Sequence, residues 1–195
     1  PVQVKNHHVQ AKLMGPGNSF RTDASDTAVE FSVYIDPVNP VAKIVMQDHE
    51  LILEQGEWSS WLSIQFEMIP YLQGVQGMVR FYLKEVHPHF KLYATPVNID
   101  PSTPALPLST PEAYVHEMCD DIGPFYTQGM PHDTNALSEG VLDDGEFLQQ
   151  AGLVFGEHKR MFDRELSRFK EGLLFLYTDR VDQVAHMFWR TMDPK

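Results

Sequence analysis

The chain of 195 residues is long enough to bury a substantial core, as one large domain or two small ones. Its formal net charge of −12 argues against a nucleic-acid-binding groove, which needs basic side chains, and against an anionic membrane surface. The lone cysteine, Cys119, excludes an internal disulfide framework and favours a reducing, cytoplasmic environment. No apolar stretch is long enough to span a bilayer, so we expect no membrane segment.

The first half of the chain predicts antiparallel β-structure. Apolar and polar residues alternate over residues 29–35 and 77–84, with the period of half-buried strands. Runs between turn-forming residues predict further strands at 41–46, 50–54, 58–66 and 91–95. Strands at this spacing indicate a sandwich or a barrel. We therefore predict a β-rich antiparallel subdomain over residues 1–107.

A proline-rich segment separates the two halves of the chain. Residues 96–111 contain five prolines, which favour an extended connector because proline lacks the backbone donor. Next, the run Ser109-Thr-Pro-Glu112 predicts the start of a helix, with a hydroxyl cap and proline in the first turn. This helix is expected to reach about residue 121, where Gly123-Pro124 ends it. The second domain is thus predicted over residues 108–195.

A longer helix is predicted to begin at Asp143-Asp-Gly-Glu146, because acidic residues favour the positive N-terminal end of a helix. It is expected to end near Lys170-Glu-Gly172. Apolar residues at helical spacing predict its buried stripe: Leu148, Ala151, Phe155, Phe162, Leu166 and Phe169.

The run Gly172-Leu-Leu-Phe-Leu-Tyr-Thr178 predicts a buried strand over residues 172–178, followed directly by a helical turn. Helix, strand and helix in succession are typical of an α/β core. The whole chain is therefore predicted to be α+β, with a β-rich part followed by helices and one strand-helix unit of such a core.

Asp182 and His186 are the candidate metal ligands. At positions i and i+4 of a helix their side chains share one face, and carboxylate oxygen with imidazole nitrogen suits Zn²⁺ or Mn²⁺. Two ligands do not complete a coordination sphere, so others must lie elsewhere. The alternative is a surface ion pair. The neighbouring carboxylate of Asp179 is predicted to cap the helix, and His132 lies in a loop that is a further candidate to face a pocket.

The C-terminal part resembles the alkaline phosphatase superfamily, in its type I phosphodiesterase/nucleotide pyrophosphatase branch. The likeness lies in an apolar strand that ends at Leu176-Tyr177, a short acidic link, and the spacing Asp182-x-x-x-His186. Two further segments are similar in sequence to an uncharacterised prokaryotic group in that branch. They are Phe-Tyr-Thr-Gln-Gly-Met-Pro-His-Asp-Thr-Asn-Ala-Leu at 125–137 and Gly-Glu-Trp-Ser-Ser-Trp at 56–61.

The resemblance implies a metal-dependent hydrolase of phosphodiester, nucleotide pyrophosphate or phosphomonoester bonds in small-molecule substrates. It implies two divalent cations, zinc before manganese, with Asp182 and His186 binding one of them. The family's Thr or Ser nucleophile and its later Asp-His pair have no match here. The chain is therefore expected to be an internal part of such an enzyme, inactive without the remainder of the parent chain, with the β-rich half as an inserted cap.

A non-catalytic module is the alternative function. The β-rich half carries Trp58 and Trp61 on either side of two serines, and an aromatic pair can bind a sugar or a protein partner. Packing within the subdomain is the interpretation that we favour for these two side chains. Packing is likewise favoured for Cys119, since it falls in a predicted helix.

Overall fold

The computed structural model of the chain describes residues 3–17, 26–69 and 73–193. These residues combine strands and helices, so the mixed α+β class is confirmed. The chain divides into two compact units, Pro1–Asp100 and Pro101–Lys195. The division falls inside the proline-rich segment, earlier than the boundary predicted after residue 107. Of the helices in the described ranges, none combines the length and the apolar character that crossing a membrane requires.

The first unit contains antiparallel sheets, as predicted. Its described strands form three sheets with the orders β1-β2-β3-β4, β5-β6-β9 and β7-β8, and none of these sheets closes into a barrel. The strands are β1 His8–Gly17, β2 Asp26–Ile35, β3 Val41–Met46, β4 His49–Glu54, β5 Leu62–Ile69, β6 Gln73–Val79, β7 Phe81–Glu85, β8 Lys91–Ala94 and β9 Asn98–Ile99.

The core of this unit consists of side chains from strands in which buried and exposed residues alternate. On β5, Leu62, Ile64 and Phe66 are buried and the residues between them are exposed. These side chains join one hydrophobic cluster with residues from other strands, because successive side chains of a strand point to opposite faces. The cluster also includes Val33, Ile44, Leu53, Phe81 and Leu83.

Two strand predictions in this unit need correction. The strand predicted over 77–84 is two strands, because the backbone N–H of Arg80 donates to Thr95 Oγ1 at 3.0 Å instead of continuing a ladder. The strand predicted from residue 58 begins at Leu62, and Trp58 makes only an isolated bridge with Tyr82. Strand β1 was not predicted.

The second unit is helical in its described part. It contains α1 Ala113–Ile122, α2 Thr134–Ser138, α3 Asp144–Arg168, α4 Arg180–Phe188 and a short 3-10 turn, Trp189–Thr191. The predicted hydroxyl contact at the start of α1 is confirmed, since Ser109 Oγ accepts from the Val115 N–H at 3.0 Å, but the helix begins only at Ala113, after Pro111, and the Glu112 side chain makes no capping hydrogen bond. Helix α1 ends at Ile122, and Gly123 follows it with a φ of 79°, which favours glycine. Helix α3 begins at a complete capping box between Asp143 and Glu146.

The buried face of α3 differs from the predicted stripe. Leu148, Phe155, Leu166 and Phe169 are all exposed, whereas Ala151 is buried as expected. The buried face instead carries Phe147, Gln150, Ala151, Val154, Glu157 and Arg164. Its polar members have partners: Gln150 Oε1 accepts from the Asp133 N–H and Glu157 Oε2 from the Tyr126 N–H. Hydrophobic periodicity misassigned the face because these buried polar residues carry no apolar signal.

The strand predicted over residues 172–178 is not formed. Residues 173–179 belong to no helix and no sheet, and Leu173 and Phe175 are 90% and 79% exposed. A strand needs a neighbour that pairs with its N–H and C=O groups, and none of the described strands pairs with this run. The prediction of a strand-helix unit of an α/β core is therefore wrong for the described residues.

Candidate functional site

Helix α4 brings the two predicted metal ligands together. Asp182 lies in its first turn and His186 in its last, and Asp182 Oδ1 is 3.3 Å from His186 Nε2. The Asp182 and His186 side chains are 60% and 78% exposed, so solvent and dissolved ions reach both. This accessibility follows from α4 itself, which has no buried residue.

The pair is an incomplete donor set for a metal ion. One carboxylate oxygen and one imidazole nitrogen suit Zn²⁺ or Mn²⁺ in kind, but a structural or catalytic zinc takes at least three protein ligands. In the described ranges, no cluster of three or more His, Cys, Asp or Glu residues could hold a metal ion. The same geometry also describes a solvent-exposed i,i+4 ion pair, which contributes little to stability.

Asp179 does not cap α4, contrary to the prediction. Its side chain accepts no capping hydrogen bond and is instead buried against His132. Asp179 Oδ2 lies 3.6 Å from His132 Nδ1, and these side chains are 10% and 0% exposed. The loop histidine therefore faces the interior of the second unit and meets the residue that directly precedes α4.

The surroundings of His132 disfavour its protonated form. Burial lowers the pKa of its imidazole below 6.5, while Asp179 pulls the pKa upward and the neighbouring His158 and Arg180 lower it further. Both ring nitrogens of His132 and both carboxylate oxygens of Asp179 lack a hydrogen bond with the described residues. Buried polar atoms without partners are costly, and such groups concentrate at functional sites.

Three other contacts hold α4 and the turn after it against α3. The rings of Phe188 and Phe147 lie 6.0 Å apart, and the Arg180 guanidinium lies 4.5 Å from the centre of the Phe155 ring. Beyond α4, Arg190 forms an ion pair with Asp144 at the start of α3. The exposure of Phe155 is thus only partial, because Arg180 covers one face of its ring.

An apolar cavity of about 450 Å³ lies elsewhere in the same unit. Helices α1 and α3 and residues 174–176 line it, with Tyr114, Met118, Phe125 and Phe162 among the apolar side chains. Neither Asp182 nor His186 is among the lining residues. The cavity is therefore separate from the candidate ligand pair.

The other sequence candidates have structural roles. Trp58 stacks on Tyr82 with ring centres 4.8 Å apart, and the Arg80 guanidinium lies 4.7 Å from the centre of the Trp61 ring. Cys119 is buried in a small cluster with Val115, Met118 and Phe125. The packing interpretation of all three is thus confirmed.

Comparison with known proteins yields no match. No protein-family model matches the chain, and neither the curated proteins nor the solved structures contain a significant match to it. Membership of the alkaline phosphatase superfamily therefore stays a prediction from the residues quoted above.

Proposed function

We propose that this chain supplies two metal ligands, Asp182 and His186, to a divalent-metal-dependent phosphoesterase of the alkaline phosphatase type. The observation that carries the proposal is the 3.3 Å approach of Asp182 Oδ1 to His186 Nε2 on an accessible helix face. Its substrates are phosphodiesters, nucleotide pyrophosphates or phosphomonoesters. The nucleophile and the remaining ligands come from outside the residues that the structure describes.

The donor chemistry supports this assignment. Both groups bind a metal ion in their deprotonated forms, the carboxylate of Asp182 and the neutral imidazole of His186 through the Nε2 lone pair. The net charge of −12 does not oppose an anionic substrate, since divalent cations provide local positive charge. When bound, such ions polarise a phosphoryl oxygen and generate a strong nucleophile at neutral pH.

Helix α4 performs the positioning that this function requires. One helical turn fixes the separation of the two ligands without a long loop, so little conformational freedom is lost when an ion binds. The side chains of Asp182 and His186 remain free of packing, as half of a site must be when other ligands complete it. A non-catalytic module based on the aromatic pair has less support, because Trp58 stacks on Tyr82 and Trp61 on Arg80.

Paramagnetic Mn²⁺ tests the ligand assignment directly. Mn²⁺ added to the full chain should broaden the NMR signals of the His186 ring in the wild type and much less in Asp182→Asn. Asp163→Asn is the matched control, because Asp163 forms a similar exposed i,i+4 pair with Lys159 on α3. Equal broadening of His186 in the wild type and Asp182→Asn, or no broadening at millimolar Mn²⁺, would leave only the ion-pair interpretation.

The reading frame that flanks the chain tests the enzyme class. The proposal requires a Thr or Ser nucleophile after an upstream strand and an Asp-His pair downstream. The complete gene product should hydrolyse bis(p-nitrophenyl) phosphate or p-nitrophenyl phosphate in the presence of Zn²⁺ or Mn²⁺, and Asp182→Ala should abolish this activity. Equal activity and metal content in wild type and variant would refute the proposal.

A further inference from the structure

We infer that His132 is a positioning residue for the ligand pair: through its buried contact with Asp179 it holds the start of α4, and with it Asp182 and His186. The inference rests on the proposed function of that pair. It adds a residue from a distant loop that does not touch a metal ion or a substrate.

Asp179 is coupled to the ligand turn by the backbone. It directly precedes Arg180, the first residue of α4, and its C=O accepts from the Gln183 N–H at 2.9 Å. Asp182 lies within that same hydrogen-bonded turn, and His186 follows one turn later. A displacement of Asp179 therefore moves the backbone that carries both ligands.

The chain that leads into α4 offers no comparable support. Residues 173–178 make no hydrogen bond with the described part of the chain, and Leu173, Phe175 and Tyr177 are all exposed. No side chain caps α4. At the N-terminal end of the helix, the buried contact between Asp179 and His132 thus adds to the half-exposed contact of Arg180 with the Phe155 ring, and the Phe188–Phe147 ring contact holds the other end.

The surroundings of His132 favour a directional contact. Its Nδ1 lies 3.6 Å from Asp179 Oδ2, and its ring centre lies 6.3 Å from that of Phe147. With the proton on Nδ1, the neutral ring presents a donor towards the Asp179 carboxylate. In a buried setting, loss of the imidazole takes away the polar group that lies 3.6 Å from the Asp179 carboxylate, which favours movement of this carboxylate towards water.

Substitutions at His132 distinguish the effect of its N–H donor from the effect of its side-chain volume. His132→Leu removes the donor and keeps an apolar side chain of similar reach. His132→Asn places an amide N–H near the position of Nδ1, whereas His132→Gln places it near Nε2. His116→Leu is the control, because His116 is an exposed imidazole on α1 of the same unit.

The measurement is the apparent affinity for Mn²⁺, read from the broadening of the His186 signals of the full chain, together with the thermal midpoint of each variant. We expect about a tenfold loss of affinity in His132→Leu and His132→Gln, the lower end of the effect of supporting residues at metal sites. His132→Asn and His116→Leu should remain within about twofold of the wild type. If His132 mattered only for stability, its variants would have lower thermal midpoints, but His132→Asn and His132→Gln would bind Mn²⁺ with the same affinity.

The outcomes distinguish this inference from the proposed function. If the wild type shows no Asp182-dependent broadening, both fail. If the wild type binds Mn²⁺ through Asp182 but His132→Leu binds it equally well, or His132→Asn and His132→Gln bind it with the same affinity, only the positioning role is refuted. Should His132→Leu not fold, His132→Asn and His132→Gln decide the question by themselves.

Discussion

The two units of this protein treat their apolar residues differently. In the β-rich unit, Phe66 and Phe81 are fully buried in a cluster that draws on several strands. In the helical unit, Phe175 and Leu173 are among the most exposed large apolar residues of the described chain. A sheet meander supplies its own neighbours, whereas an isolated apolar run has nothing to pair with until other strands are present.

Buried ionisable residues show the opposite difference between the two units, because the helical unit contains more of them. The helical unit buries Glu157, Arg164, Asp179 and His132, all of them ionisable, whereas most buried polar residues of the β-rich unit are neutral, Asp100 being ionisable. Buried ionisable groups cost stability unless they are paired, and they cluster where a protein has a task for them. The buried ionisable residues therefore make the helical unit the first place to look for function.

The largest expected effect tests the difference in apolar burial. Phe81→Ala should lower the free energy of unfolding by about 3 to 5 kcal/mol, because it opens a cavity in the β-rich core. Phe175→Ala, at an exposed position, should change it by less than about 0.5 kcal/mol. Urea unfolding of the full chain, followed by circular dichroism, measures both. A comparable loss in the two variants would show that the apolar run is packed in solution.

A smaller effect tests the buried charges. The Arg164 guanidinium is nearly inaccessible and donates to the carboxylates of Asp121 and Glu165. Arg164→Ala should lower the free energy of unfolding by about 2 to 3 kcal/mol, as expected for hydrogen bonds between charged groups.

Arg168→Ala is the matched control for this change. Arg168 meets Asp121 as well, together with Glu117, but from a half-exposed position, so its loss should cost less than about 1 kcal/mol. Similar values for the two variants in thermal unfolding would show that burial adds nothing to the Arg164 interactions.

The smallest effect concerns pH. Burial lowers the pKa of His132, so the unfolded chain binds its proton near pH 6.5 while the folded chain still resists protonation. Between these two pKa values the unfolded state carries more protons, and stability must fall as the pH decreases from about 6.5. This contribution is fully present above that pH.

His132→Asn removes that titration. The variant should show a shallower decline of the unfolding free energy between about pH 6.5 and 5 than the wild type, since one fewer group binds a proton on unfolding. Urea unfolding at several pH values measures the slope. A steeper decline in the variant would mean that Asp179, and not burial, dominates the pKa of His132.

Sequence patterns predicted local features with good accuracy. Flanking turn residues located β3 at Val41–Met46 as observed, and the acidic start of α3 forms a complete capping box at Asp143. Each of these features depends on residues close together in the chain. The side-chain contact of Asp182 with His186 was predictable for the same reason, since one helical turn separates them.

The candidate site beyond that pair was not predictable from spacing. Asp133 is the residue that caps α2, with Oδ1 accepting from the Ala136 N–H at 2.9 Å. The cap fixes the loop and places the adjacent His132 in the interior. The loop position had already made His132 a candidate to face a pocket, but no local signal predicted its contact with Asp179.

The sequence by itself determined the α+β class, most strand and helix positions, and the pairing of Asp182 with His186, because these follow from local propensity and short periodicities. Only the tertiary structure decided which face of α3 is buried, that residues 173–179 form no strand here, and that Asp179 meets His132. Burial and strand pairing depend on partners far away in the chain, and no local pattern carries that information.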